Sequence, residues 1–213
     1  MVALFVIATI LLFVVADALV AYARKKEAPA AEARPAFSPQ GMPAGLFLHP
    51  NHVWVGVQSD GQARVGLDEL ARKLVGAVDS IRFADSGKRV ARGETLFWVK
   101  AGNVEVPFSS PLSGIVKATQ IPDAAAKGTD AAAWLVSVEP ERLGFEIRTL
   151  RVAEDAAAWL QGEFKRLGET LFDLRLATAG VLPDGGEPAD GLLRVLEGEA
   201  RDTLIRGFLT RLT

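Results

Sequence analysis

His49 and His52, separated by Pro50-Asn51, are the only histidines in a chain of 213 residues that contains no cysteine. Imidazoles this close could share a metal ion, act as a catalyst, or serve as structural hydrogen-bonding groups. A metal site would need both and would have to recruit carboxylates, because thiolates are unavailable. The missing cysteines also exclude disulfides, iron–sulfur clusters and thiol catalysis. Ser59, Ser86, Ser109, Ser110 and Ser113 lie in turn-like sequence, with neither a Gly-x-Ser-x-Gly elbow nor a phosphate loop around them. They read as turn residues that hydrogen-bond the backbone. Glu139, Glu141 and Glu146 are the nearest approach to an acid–base cluster, and their position after the last strand reads as a solvated face. The residues therefore predict no enzyme, no metal and no bound cofactor. Charge gives no electrostatic footprint for nucleic acid either, with 24 basic side chains against 26 acidic ones.

The elements that hold these residues are short strands. His52-Val53-Trp54-Val55-Gly56-Val57 and Ala63-Arg64-Val65-Gly66-Leu67 flank Ser59-Asp60-Gly61-Gln62, and Asp-Gly between two apolar runs predicts a hairpin. Residues 68–75 read as a small amphipathic helix with Asp68 at its start and Gly76 at its end. Strands are predicted at 78–83 and 95–99. A second hairpin then carries Val99, Lys100 and a Gly102-Asn103 tip into Val104, Val106 and Phe108. Further strands follow near 114–119 and 133–138. Many short strands, frequent glycine turns and one small helix describe a β-rich sandwich or barrel.

Taken together, these residues resemble the H-protein of the glycine cleavage system. The resemblance is carried by His52-Val53-Trp54-Val55, by Val65 to Ala71 with Leu74 and Gly76, by Gly87 to Phe97, by Ser110-Pro111-Leu112-Ser113-Gly114-Ile115-Val116 and by Trp134-Leu135-Val136. It implies a lipoyl-domain-like β barrel-sandwich over residues 49–140. H-proteins carry a lipoyl-lysine on a hairpin, seven residues before the first serine of the Ser-Pro-x-Ser-Gly turn, and that position here is Asn103. Lipoylation needs an amine on a long stem, which an asparagine amide cannot replace. The nearest amine is Lys100. A second departure lies at 120–133, QIPDAAAKGTDAAA, where H-proteins have an Asn-Pro-Tyr-Gly-like segment. The resemblance thus implies a carrier fold that has lost its arm, with a carrier modified at Lys100 as the alternative.

Residues outside the β domain point to a membrane. Residues 2–23 are apolar apart from Thr9, Asp17 and Tyr22, and they include Phe5 and Leu12. Their length suits a helix spanning roughly 30 Å of hydrocarbon. Arg24-Lys25-Lys26 follows the run, which by the positive-inside rule predicts a single-pass anchor in the inner (cytoplasmic) membrane with the body in the cytoplasm. Ala21-Tyr22-Ala23 also resembles a cleavage site, which would give a processed, outward-facing chain. Asp17 either reaches the headgroups or contacts a partner helix.

Residues 27–46 are an Ala/Pro-rich linker. Helical periodicity returns over 150–176 and again over 197–212, where Leu204, Ile205, Phe208, Leu209 and Leu212 form an apolar stripe. That stripe either caps the chain's own domain or binds a partner. The expected organisation is α+β: a transmembrane helix at 1–23, a basic flank and linker at 24–46, the H-protein-like domain at 47–140 and a helical region at 141–213. The expected role is a non-catalytic accessory or scaffold subunit docking onto integral subunits of a multisubunit membrane complex, such as a respiratory or photosynthetic electron-transfer assembly. A stand-alone membrane-tethered adaptor is the other alternative.

Overall fold

The computed structural model describes residues 45–121, 133–174 and 188–211. The predicted anchor residues Phe5, Leu12, Asp17, Tyr22, Arg24, Lys25 and Lys26, and Leu212 of the apolar stripe, lie outside them. Among the described residues no helix is long and apolar enough to cross a membrane.

Strands β1 (Leu46–Leu48), β2 (Val53–Val57) and β3 (Ala63–Leu67) form an antiparallel meander. The β2–β3 connection is the predicted Asp-Gly hairpin. Gly61 takes φ +83°, and the Asp60 carboxylate accepts the Gln62 N–H at 2.9 Å. Residues 53–56 are buried on both faces, which suits their β-branched and aromatic side chains. Gly66 lies opposite Trp54 because the indole covers it; a Cβ there would stand 2.5 Å from the ring.

Helix α1 (Glu69–Val75) starts where Asp68 accepts the Ala71 N–H at 2.9 Å. It stops at Gly76, at φ +68°, whose N–H returns to Arg72 O at 2.7 Å. Leu70, Ala71, Leu74 and Val75 are its buried face.

Next come β4 (Ser80–Phe83), β5 (Arg89–Val90), β6 (Thr95–Ala101), β7 (Val104–Ser109), β8 (Gly114–Thr119) and β9 (Val136–Pro140). After them the chain makes a short helix α2 (Leu143–Glu146), a 3-10 turn (Ile147–Thr149) and a two-residue strand β10 (Arg151–Val152). One sheet has the order β10-β1-β2-β3-β9-β8-β5 and the other β4-β6-β7, both antiparallel throughout. Their facing residues form the core, in which Phe97 and Phe108 stack at 5.3 Å and are fully buried. Each such side chain contributes about 1.5–3 kcal/mol.

Of the barrel-sandwich implied by the resemblance, the sandwich forms and the barrel does not close. No ladder joins β4 or β7 to the larger sheet, and the two-residue β5 pairs only with β8, so the described residues make a sandwich of two open sheets.

The C-terminal region departs from the predicted pair of continuous helices. Residues Arg151 and Val152 extend and pair with β1, covering an edge that would otherwise be open, and α3 therefore runs from Ala153 to Asp173. The last predicted helix is three pieces: α4 (Leu192–Val195), α5 (Gly198–Leu204) and a π-helical turn (Ile205–Leu209). Leu192, Leu193, Leu204, Phe208 and Leu209 are buried in the chain's own core and Ile205 is half-buried. In this conformation most of the apolar stripe is therefore not free surface.

The linker predicted to reach residue 46 ends earlier, since Leu46 already pairs with Gly56.

Candidate functional site

Two places bring together chemistry-bearing residues: the end of the β6–β7 hairpin and the turn around His52.

The hairpin is six residue pairs long and closes through Gly102 and Asn103. Gly102 has φ +62° whereas Asn103 does not have a positive φ, the arrangement of a two-residue turn that needs glycine at its first central position. Asn103 is exposed between buried Ala101 and Val104. The turn is tied to the rest of the molecule by Asp79, whose Oδ2 accepts the Gly102 N–H at 2.5 Å. Arg194 of α4 donates to both Asp79 oxygens at 3.1 Å and to Ala77 O at 2.8 Å. The Gly102 N–H and then the Arg194 guanidinium hold the Asp79 carboxyl below its ordinary pKa.

The C-terminal segment thus reaches the hairpin end, and Arg194 Cγ would lie 3.9 Å from a Cβ on Gly102. The close approach is set by Gly76 and Gly191: a Cβ on Gly76 would stand 2.4 Å from Gly191 Cα, and Gly191 N–H donates to Lys73 O.

Lys100 lies in the ladder rather than at the tip. It faces Ser80 on one side and Glu105 on the other, and its exposed side chain alternates with buried Val99 and Ala101. An amide-linked lipoyl group does not fit the turn as built, because Gly102-Asn103 offers no amine.

At the second place, His49 and His52 are both buried, but each serves a different partner. The His49 N–H donates to Val53 O and the His52 N–H to His49 O, making a tight turn that puts His52 at φ +61°. His49 Nδ1 donates to Asn51 Oδ1 at 2.6 Å, and Asn51 Nδ2 donates to Ser109 O at 3.0 Å. Burial lowers the His49 pKa to about 4.

His52 Nδ1 donates to Asp68 Oδ2 at 2.7 Å, while its Nε2 faces Glu163 Oε2 of α3 at 3.7 Å without a hydrogen bond. Trp159 stacks on the imidazole at 4.9 Å and Phe208 tilts against it at 6.4 Å. Burial pushes the His52 pKa down, but Asp68 and then Glu163 raise it above the ordinary imidazole value. Burial would raise the Glu163 pKa; His52, Arg166 and Arg211 instead hold it at about 2.

Four of the five serines lie outside the strands as predicted, whereas Ser109 ends β7 and pairs with Thr95. Ser110 Oγ donates to Leu112 O at 2.6 Å, and Ser113 Oγ accepts the Arg92 N–H at 3.0 Å. The solvated carboxylate face holds only in part. Glu139 and Glu141 pair with exposed Lys117 and Arg89, but Glu146 is buried. Its two oxygens accept the Ser113 N–H at 2.8 Å and the Ser113 hydroxyl at 2.7 Å. Sequence reasoning placed Glu146 on a solvated face and missed Glu163 and Arg194, because the partners Ser113, His52 and Asp79 are 33, 111 and 115 positions away in the chain. Among the described residues no group of three or more His, Cys, Asp or Glu could hold a metal ion.

Comparison with known proteins places this architecture. The chain is 28% identical over 121 residues to a probable glycine cleavage system H protein of Pyrococcus horikoshii, covering 55% of this chain and 90% of that one. It is 30% identical over 107 residues to the glycine cleavage system H protein of Methylococcus capsulatus, covering 48% and 84%. The crystal structure of a glycine cleavage system H protein from Mycobacterium marinum superposes with a TM-score of 0.46 at 22% identity, covering 59% of this chain and 99% of that one. The family model of the glycine cleavage H-protein matches residues 46–163, more than half of the chain, and the chain belongs to that family.

Proposed function

We propose that this chain is a non-catalytic docking subunit of a larger membrane complex, anchored by its N-terminal apolar segment and using an H-protein-like domain that bears no lipoyl group. The observation that carries the reading is the hairpin end. Its exposed residue is Asn103, and Arg194 of the chain's own C-terminal segment already occupies the space beside Gly102. An arm anchored there would need an amine, and Gly102-Asn103 offers none. Lys100 is a poor substitute, since its stem rises from the middle of a three-stranded sheet rather than from a projecting turn. The apolar run at 2–23 and the basic step at Arg24-Lys25-Lys26 support the anchor and a cytoplasmic body.

Purification of the tagged chain from detergent-solubilised native membranes, followed by mass spectrometry, tests this reading. Co-elution with several integral membrane subunits is expected. Recovery as a lone monodisperse species, or only from the soluble fraction, would contradict it.

A further inference from the structure

We propose that His52 is a protonation-controlled latch that holds the C-terminal helices on the β domain, closed while the imidazolium bridges Asp68 and Glu163 and released when the ring is neutral. The latch joins parts of the chain that are far apart. Asp68 begins α1, Glu163 lies on α3, and Phe208 on the π-helical turn closes over the ring.

Glu163 sits in the buried stripe Ala156, Leu160, Glu163, Leu167, Leu171, where an apolar residue would pack without any protonation requirement. A carboxylate there is tolerable only if its charge is met. It is met from three sides. His52 Nε2 stands 3.7 Å from Oε2, Arg166 pairs with the same oxygen, and Arg211 Nη1 lies 3.2 Å from Oε1. Arg166 also lies over the Phe208 ring at 3.9 Å and donates to Gly207 O at 2.9 Å, tying the same carboxylate to the π-helical turn.

The remaining charged and titratable neighbours do not replace the proton. Arg151 lies over the far partner, Trp159, at 5.1 Å, and His49 is neutral near pH 7 because burial lowers its pKa to about 4. When His52 loses its proton, Nδ1 keeps its hydrogen for Asp68. Nε2 then turns a lone pair towards Glu163 inside a site closed to water, and the stack on Trp159 loses its cationic partner.

The sign follows from the direction of the His52 shift. Its pKa is raised in the closed form, so the contribution is full below the ordinary value of about 6.5 and is lost as pH rises through the closed-form pKa. Opening frees Leu204, Phe208 and Leu209, the apolar face buried in the closed form.

Amide hydrogen exchange on the full-length protein, corrected for intrinsic rates and run from about pH 6 to pH 10, tests the latch. The two imidazoles are followed in parallel by NMR. Between pH 6.5 and the His52 titration point, the opening constant of amides 198–209 should rise about tenfold per pH unit and then level off, because one proton is linked to closing. Amides of β2 and β3 should keep their protection. Glu163→Gln should lower the His52 midpoint and, with it, the pH at which opening levels off, and should that variant not fold, the native profile alone decides. A flat profile at 198–209 while His52 titrates would overturn the proposal. So would loss of protection in sheet and helices together, or a Glu163→Gln protein whose opening keeps the native pH profile.

Discussion

Glu146 shows how a single side chain fastens two parts of the β domain. Both its oxygens are engaged by Ser113, whose hydroxyl in turn accepts from Arg92, so the Ser-Pro-Leu-Ser-Gly turn is held from α2. Glu146→Ala would leave the Ser113 N–H and the hydroxyl proton without acceptors in a part-buried site. A loss of about 1–3 kcal/mol is expected, read as a lower melting temperature in calorimetry. An unchanged melting temperature would show that the turn holds itself.

His49 adds a pH dependence on the acid side. It is buried with a pKa of about 4, against about 6.5 when unfolded, so the unfolded chain binds the extra proton between those values. Stability therefore falls as pH drops from about 6.5 to 4, by up to the order of 3 kcal/mol. Denaturant titrations at pH 7 and 4.5 measure it. His49→Gln should flatten the slope in that window, where Glu163, held at about 2, contributes only near and below pH 4.5.

At the scale of elements, the C-terminal helices matter more than the hairpin tip. Phe208 is 1% exposed, packs against His52 and lies under Arg166. Phe208→Asp places an unpaired carboxylate in that contact and removes a buried ring, a change of at least about 3 kcal/mol. Asn103→Ala removes an exposed amide and should stay within about 0.5 kcal/mol. Melting temperatures of the two variants separate these outcomes, and a silent Phe208→Asp would contradict the packing.

Elements with a local signature were legible in the sequence. The Asp60-Gly61 and Gly102-Asn103 hairpins and the Asp68 and Gly76 caps depend on neighbours a few residues away. Strand β10 was not legible, because Arg151-Val152 is extended only by pairing with β1, over a hundred residues earlier. The π-helical turn likewise interrupts a smooth apolar period, with Thr210 N–H returning to Ile205 O. Glu163 defeated the helical pattern for α3: periodicity counts apolar residues, whereas this buried position is charged and compensated from other elements.

At the scale of the molecule, an H-protein-like sandwich carries a C-terminal helical layer, partly beyond the family match at residues 46–163, that packs over the turn at His52 and reaches the hairpin end through Arg194. The central claim is that the family fold here works without the family's arm. Intact-mass measurement of the full-length protein isolated from its native cells tests it most directly. The account predicts the mass of the chain with no lipoyl addition, whereas a lipoyl adduct, mapped by peptide sequencing to Lys100, would contradict it and make this chain a carrier.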